Sequence, residues 1–159
     1  MFRLLVLLGW MMGPFGAPAQ KYEGPRPPKP DLPYLQHADN LIETEVGEAR
    51  EENRRDENVY IVPGSSSPAR TPLAEPIFLF VSETIPAEKL ALFAMQVRRG
   101  NREIAFPQRR KDRGPRPLRL SVRKLDDNLY RIEANETLEN GQYCLSPEGS
   151  NKVFCFEVY

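Results

Sequence analysis

Past Val59 the chain alternates. Short β-branched and aromatic runs recur to the C-terminus: VYIV (59–62), IFLFVS (77–82), ALFAMQVR (91–98), REIAF (102–106), LRLSVRK (118–124), LYRIEA (129–134), QYCLS (142–146) and KVFCFEV (152–158). Turn residues separate them. Apolar and polar positions take turns within most runs, and a period of two sends one set to each face of a strand. Strands this short, at this spacing, predict an all-β fold, a sandwich or barrel of about seven or eight strands. Residues 59–159 are enough for one such domain with a single core. Gly64-Ser65-Ser66-Ser67-Pro68 reads as a loop, and Pro86-Ala87-Glu88-Lys89 as one helical turn.

Parity assigns partners within three hairpins. A type II′ turn at Gly100-Asn101 sets Val97 opposite Ile104 and Met95 opposite Phe106 on one face, with Arg98 beside Glu103 on the other. Asp126-Asp127-Asn128 turns the next hairpin, with Asn128 suited to a left-handed conformation. Leu118, Leu120 and Val122 then face inward with Tyr130, Ile132 and Ala134. In the last hairpin Tyr143 and Leu145 must share a face with Phe154, Phe156 and Val158. That register places Leu145 opposite Phe154 and Cys144 opposite Cys155 on the outer face. Opposed β-carbons lie about 4.5–5.5 Å apart, within near reach of a disulfide. The alternative is two free thiols. Without a C-x-x-C spacing, a catalytic redox pair is disfavoured.

The stretch Leu138-Glu139-Asn140-Gly141-Gln142-Tyr143-Cys144-Leu145 resembles the tyrosine corner of immunoglobulin-like sandwiches, in which a Tyr hydroxyl bonds back to the backbone. The resemblance covers about the last twenty residues. It implies an Ig-like antiparallel β-sandwich, gives Tyr143 and Gly141 structural roles, and implies no activity. Cys144 is one position off the antibody-type core cysteine, and the single Trp lies near the N-terminus, so both antibody hallmarks are missing. The whole chain also resembles uncharacterised small exported bacterial proteins, through PYLQHADNLIETE and PLAEPIFLF. That resemblance brings no function.

The N-terminal twenty residues, MFRLLVLLGWMMGPFGAPAQ, read as an export signal. Arg3 supplies the positive end, Leu4 to Met12 the short apolar stretch, and Ala17-Pro18-Ala19 a cleavage site, giving a signal peptide over 1–19. An uncleaved anchor is the alternative. Export makes a periplasmic or extracellular location the expectation, without a transmembrane span in the mature chain, and it favours the disulfide. Pro25, Pro27, Pro28, Pro30 and Pro33 predict an extended polyproline spacer, either a stiff linker or a ligand for a proline-recognition groove. Residues 43–58 hold seven acids and three arginines. With a thin apolar stripe of Leu41, Ile42, Val46 and Ala49, the whole of 20–58 reads as spacer and acidic segment, largely disordered or marginally helical.

The 22 basic and 22 acidic residues cancel in sum but not in place. Arg98 to Lys124 carries eleven basic residues and two acids. At its centre QRRKDRGPRP (108–117) is a Gly/Pro-containing loop, which stays exposed and focuses an anion-attracting field. Arg109, Arg110, Lys111, Arg113 and Arg116 are thus candidate polyanion contacts, for an acidic polysaccharide or another envelope component. The alternative is a solvated loop balanced by the chain's own acids. Nucleic acid is disfavoured, because no aromatic residue punctuates the loop for stacking.

One His and two Cys leave no clustered metal ligands, and no nucleophile-elbow, phosphate-loop or H-E-x-x-H pattern occurs. His37 is a poor platform for a triad, and Asp126-Asp127-Asn128 reads as a turn before a calcium site. No catalytic residue, metal or cofactor is assigned. The reading is an exported, non-enzymatic binding or scaffolding β-sandwich. Its alternatives are a small secreted hydrolase with a carboxylate-based site and a self-assembling envelope subunit joined through exposed strand edges.

Overall fold

The computed structural model describes residues 16, 19–109, 111 and 113–159. The signal-peptide assignment therefore lies almost wholly outside the described residues, as do Arg110 and Asp112. Among the described residues are thirteen strands. They are β1 (Tyr34–His37), β2 (Asn40–Glu43), β3 (Glu45–Glu48), β4 (Arg50–Arg54), β5 (Glu57–Pro63), β6 (Arg70–Thr71), β7 (Ile77–Val81), β8 (Leu90–Arg98), β9 (Asn101–Pro107), β10 (Leu120–Lys124), β11 (Leu129–Ala134), β12 (Gly141–Pro147) and β13 (Lys152–Val158). A short 3-10 turn at Ala87–Lys89 precedes β8, where Pro86 predicted a helical turn.

The protein is an all-β sandwich. One sheet has the order β10-β11-β7-β1-β2, antiparallel throughout. The other runs β3-β13-β12-β8-β9-β5-β4, with β6 added parallel to β13. Leu35, Phe78, Phe80 and Ile132 of the first sheet meet Leu92, Leu145, Phe154 and Phe156 of the second in the main core. Phe156 sits edge-on to Phe78 at 5.1 Å and stacks with Tyr143 at 5.7 Å. Burying side chains of this size supplies about 1.5–3 kcal/mol each, the main term holding the sheets together.

The segment read as disordered or helical is neither. Residues 40–54 form β2, β3 and β4. Gly47 and the β-branched Ile42, Thr44 and Val46 oppose a helix, and the branched residues recur at alternate positions as a strand requires. The apolar stripe is thin because these strands lie along sheets whose partners supply the bulk. The charges of β4 point outward from the sheet end. Nor does the proline-rich stretch stand off as a spacer. Pro27, Leu32 and Pro33 are buried. Asp31 donates its N–H to Val81 O at 2.8 Å, and its carboxylate accepts from the N–H groups of Glu83, Thr84 and Ile85 and from the Thr84 hydroxyl at 2.7–3.0 Å. Burial pushes the Asp31 carboxyl up, but these donors outweigh it and hold it below its ordinary value.

The hairpins keep the predicted faces, with one shift of register. Leu145 pairs with Phe154 and Cys144 with Cys155, and Leu120, Val122 and Lys124 pair with Ala134, Ile132 and Tyr130. The β8–β9 turn is Arg99-Gly100, both at positive φ (51° and 79°), so it is type I′ rather than II′. Gln96 therefore pairs with Glu103 and Val97 with Arg102. The faces survive because the slip is two residues. Asn128 does not take the left-handed conformation.

The second sheet curls. β3 and β4 stand at its opposite ends, yet a single residue, Ala49, separates them in sequence. β3 pairs with β13, the Ala49 N–H donates to Asn151 O at 2.8 Å, and β4 pairs with β5. One continuous stretch thus joins both ends and wraps the sheet round the far face of the β12–β13 hairpin. That face was expected to be the outside. It is a second core, of Ala49, Val62, Cys144, Val153 and Cys155, with Tyr60 and Met95 packed against it.

Candidate functional site

The basic loop leaves β9 at Pro107 and returns through an isolated bridge between Leu118 and Leu92. Its first turn is fastened at the base: Gln108 donates its N–H to Asp56 O at 2.8 Å and its side-chain amide to Asn58 Oδ1 at 3.0 Å. Gly114 folds back against Pro107, where a Cβ would come 3.0 Å from the ring. Arg109, Lys111 and Arg113 are exposed. Among the described residues none of the three forms an ion pair.

Arg116 departs from that expectation. Its guanidinium makes a two-pronged contact with Glu136 at 3.0 and 3.2 Å, and Glu136 also accepts from the Arg119 N–H at 2.9 Å. Arg116 and then the Arg119 backbone hold the Glu136 carboxyl down to about 2. Arg116 is therefore a pin that fixes the end of the loop, and an external anion would have to compete with Glu136. Other cations of the basic run are also spent. Arg98 lies 3.8 Å from Glu103, and Arg54 reaches the same carboxylate at 3.3 Å. Of the described candidate contacts, Arg109, Lys111 and Arg113 remain, and Arg110 lies outside the described residues.

Sequence reasoning missed the polar group at one end of the curled sheet. Arg102 is wholly buried. It donates to Glu45 at 2.5 and 2.9 Å, to Gly64 O at 3.0 Å and to Pro63 O at 2.7 Å. Burial raises the Glu45 carboxyl, but the guanidinium overrides it and the net shift is downward. Beside it the Ser67 N–H donates to Gln142 Oε1 at 2.9 Å, and the Ser67 hydroxyl to Cys155 O at 3.1 Å. A signal was present. Ile104 and Phe106 point inward, so parity sends Arg102 inward too, and a charge in an inward position calls for a partner.

Cys144 and Cys155 form the disulfide. The Tyr143 hydroxyl donates to Glu139 O at 2.7 Å, four residues upstream, as the chain crosses from β11 in one sheet to β12 in the other. A Cβ on Gly141 would meet the Tyr143 ring at an ordinary 3.7 Å, so the bond and not the glycine is the structural element. His37 Nε2 lies 2.8 Å from the Thr71 hydroxyl, a packing contact between strands. The Asp126 carboxylate is taken by the Arg26 guanidinium and the Asp127 N–H. Among the described residues no three His, Cys, Asp or Glu side chains gather as a metal site. No helix there is long and apolar enough to cross a membrane. One of the two edge strands of the first sheet, β10, carries Arg123 and Lys124, charges that discourage strand addition.

Fold and site define an all-β sandwich with one sheet curled into a second core and a basic loop at its side. No family model, curated protein or solved structure matches this chain.

Proposed function

We propose that this is an exported, non-enzymatic binding or scaffolding module of the periplasm or extracellular space. It contacts an anionic polymer, such as an acidic polysaccharide or another envelope component, through Arg109, Lys111 and Arg113. One observation carries the reading: Arg98, Arg102, Arg116 and Arg119 of the basic run are bonded to acids of the protein itself, whereas these three stand exposed on a loop pinned at both ends and form no ion pair among the described residues. A pinned loop presents its charges with less ordering cost on binding. The disulfide suits an oxidising compartment. The alternative, a carboxylate hydrolase, needs two facing acids in a cleft; Glu57 and Glu103 line one cavity together, where Arg54 holds Glu103 at 3.3 Å.

The test is binding of heparin, as a model polyanion, over a salt series. The triple variant Arg109→Ala, Lys111→Ala, Arg113→Ala should weaken binding at low salt and flatten the salt dependence, since contacts between exposed charges are screened. Unchanged affinity in the triple variant would discard the loop as the contact. A pull-down from envelope extract with and without residues 108–117 then looks for the natural partner.

A further inference from the structure

A cavity of about 350 Å³ opens inside the curled sheet, away from the buried Arg102. Its cause lies in the pairing. β8 and β9 are laddered only from Gln96–Arg98 to Asn101–Glu103. Beyond that, the Leu118 N–H takes the Leu92 carbonyl at 2.7 Å, and the two strands part. Met95 and Phe93 are left facing Ile104 and Phe106 across the gap. Phe106 stands edge-on to Phe93 at 5.7 Å and to Tyr60 at 5.8 Å, so three rings form one wall. Cys144 of the disulfide lies at the lining, and as a disulfide it offers no nucleophilic thiol.

We propose that this cavity binds a neutral small molecule with an aromatic or alicyclic body and a single polar end. The volume falls at the lower end of the range for small-molecule sites, and its walls are mostly apolar, as such sites are. Aromatic edges and faces set at these angles favour a flat or ring-containing body. The polar groups sit at the mouth. Asn58 spends its oxygen on Gln108, leaving its NH2 group as a donor, and Asn151 also lines the cavity. Glu148 is the one charged residue of the lining, and Lys89 holds it at 3.0 Å. A ligand ion would lose its hydration against these walls without a counter-charge, so neutrality is selected. This site is separate from the basic loop and stands whether or not the loop binds polyanions.

The probe is 1-aminoanthracene, a neutral ring system with one polar group, whose fluorescence rises in apolar surroundings. Titrated into the purified protein it should bind saturably at one site, with affinity indifferent to salt. 2-Naphthalenemethanol should displace it at least as well as 2-naphthoate. Ala91→Trp fills the cavity and should weaken binding about tenfold or more, a loss of roughly 1.4 kcal/mol. Ala94→Trp, on the same strand but the other face, should leave it unchanged. Met95→Lys, at a half-exposed wall position that tolerates a longer side chain, serves if Ala91→Trp fails to fold, and should weaken binding likewise. Three results would overturn the proposal: no saturable binding, affinity unmoved by both wall variants, or displacement by 2-naphthoate far better than by 2-naphthalenemethanol and dependent on Arg109, Lys111 and Arg113. The last would reassign the ligand as an anionic amphiphile.

Discussion

The two faces of the β12–β13 hairpin bury different things. Toward the first sheet, Tyr143, Leu145, Phe154, Phe156 and Val158 meet large apolar side chains. Toward the curl, the Cys144–Cys155 disulfide and Val153 meet Ala49, Val62, Tyr60 and Met95, with a buried ion pair and a cavity alongside. One face holds the domain together by packing. The other is held by covalent and ionic ties, with space left between them. The difference teaches that a sheet can be enclosed on both sides while one side carries most of the stability and the other stays adaptable.

Substitutions can break that contrast. Phe156→Ala should cost about 3–5 kcal/mol in a denaturant melt, because it empties a close-packed site. A cost near 1 kcal/mol would mean the main core is looser than its ring contacts imply. Arg102→Ala should cost about 3 kcal/mol, leaving Glu45 without its partner. Replacing the pair together, Arg102→Met with Glu45→Leu, should recover most of that loss. Equal losses from the single and double changes would deny the pair its linked role. The double change Cys144→Ala and Cys155→Ala should cost about 2–3 kcal/mol, since the bridge closes a loop of only 11 residues' separation. A Met95→Ala change beside the cavity should cost under about 1 kcal/mol, against about 2–5 kcal/mol for Leu92→Ala in the main core.

The smallest effect is electrostatic and falls on the loop pin. Glu136 has its carboxyl lowered from 4.5 to about 2. A lowered carboxyl stabilises the fold fully above its ordinary value and loses that contribution as pH falls from about 4.5 toward 2. Nuclear magnetic resonance of the folded protein should show the Arg119 amide signal moving with a midpoint at about 2. Glu136→Gln should abolish the movement, and a midpoint at 4.5 would mean the pin does not hold in solution.

The sequence made the main core legible and the second core nearly invisible. Alternation in Tyr143–Leu145 and Phe154–Val158 carries a clear period, and the register that aligns it also pairs the cysteines. The curl depends instead on Glu45–Arg54, where charge hides the sparse apolar positions Val46 and Ala49. Its turn, Arg55-Asp56, has none of the usual hairpin dipeptides. Outer-face residues such as Cys144 and Val153 gave no hint of what covers them, because alternation within a strand says nothing of which distant segment wraps over it. The same limit applied to the basic run. Composition counted Arg116 and Arg102 with the free cations, and only the three-dimensional partners, Glu136 and Glu45, separate them.

Hydrogen exchange of the backbone amides in Glu45–Arg54 tests whether this charged stretch closes the sheet. The account predicts protection at Ala49, whose N–H bonds Asn151 O at 2.8 Å, and at the β3 and β4 amides paired with β13 and β5. Exchange at the rate of an unstructured peptide throughout the stretch would contradict it, and would leave the disulfide face uncovered.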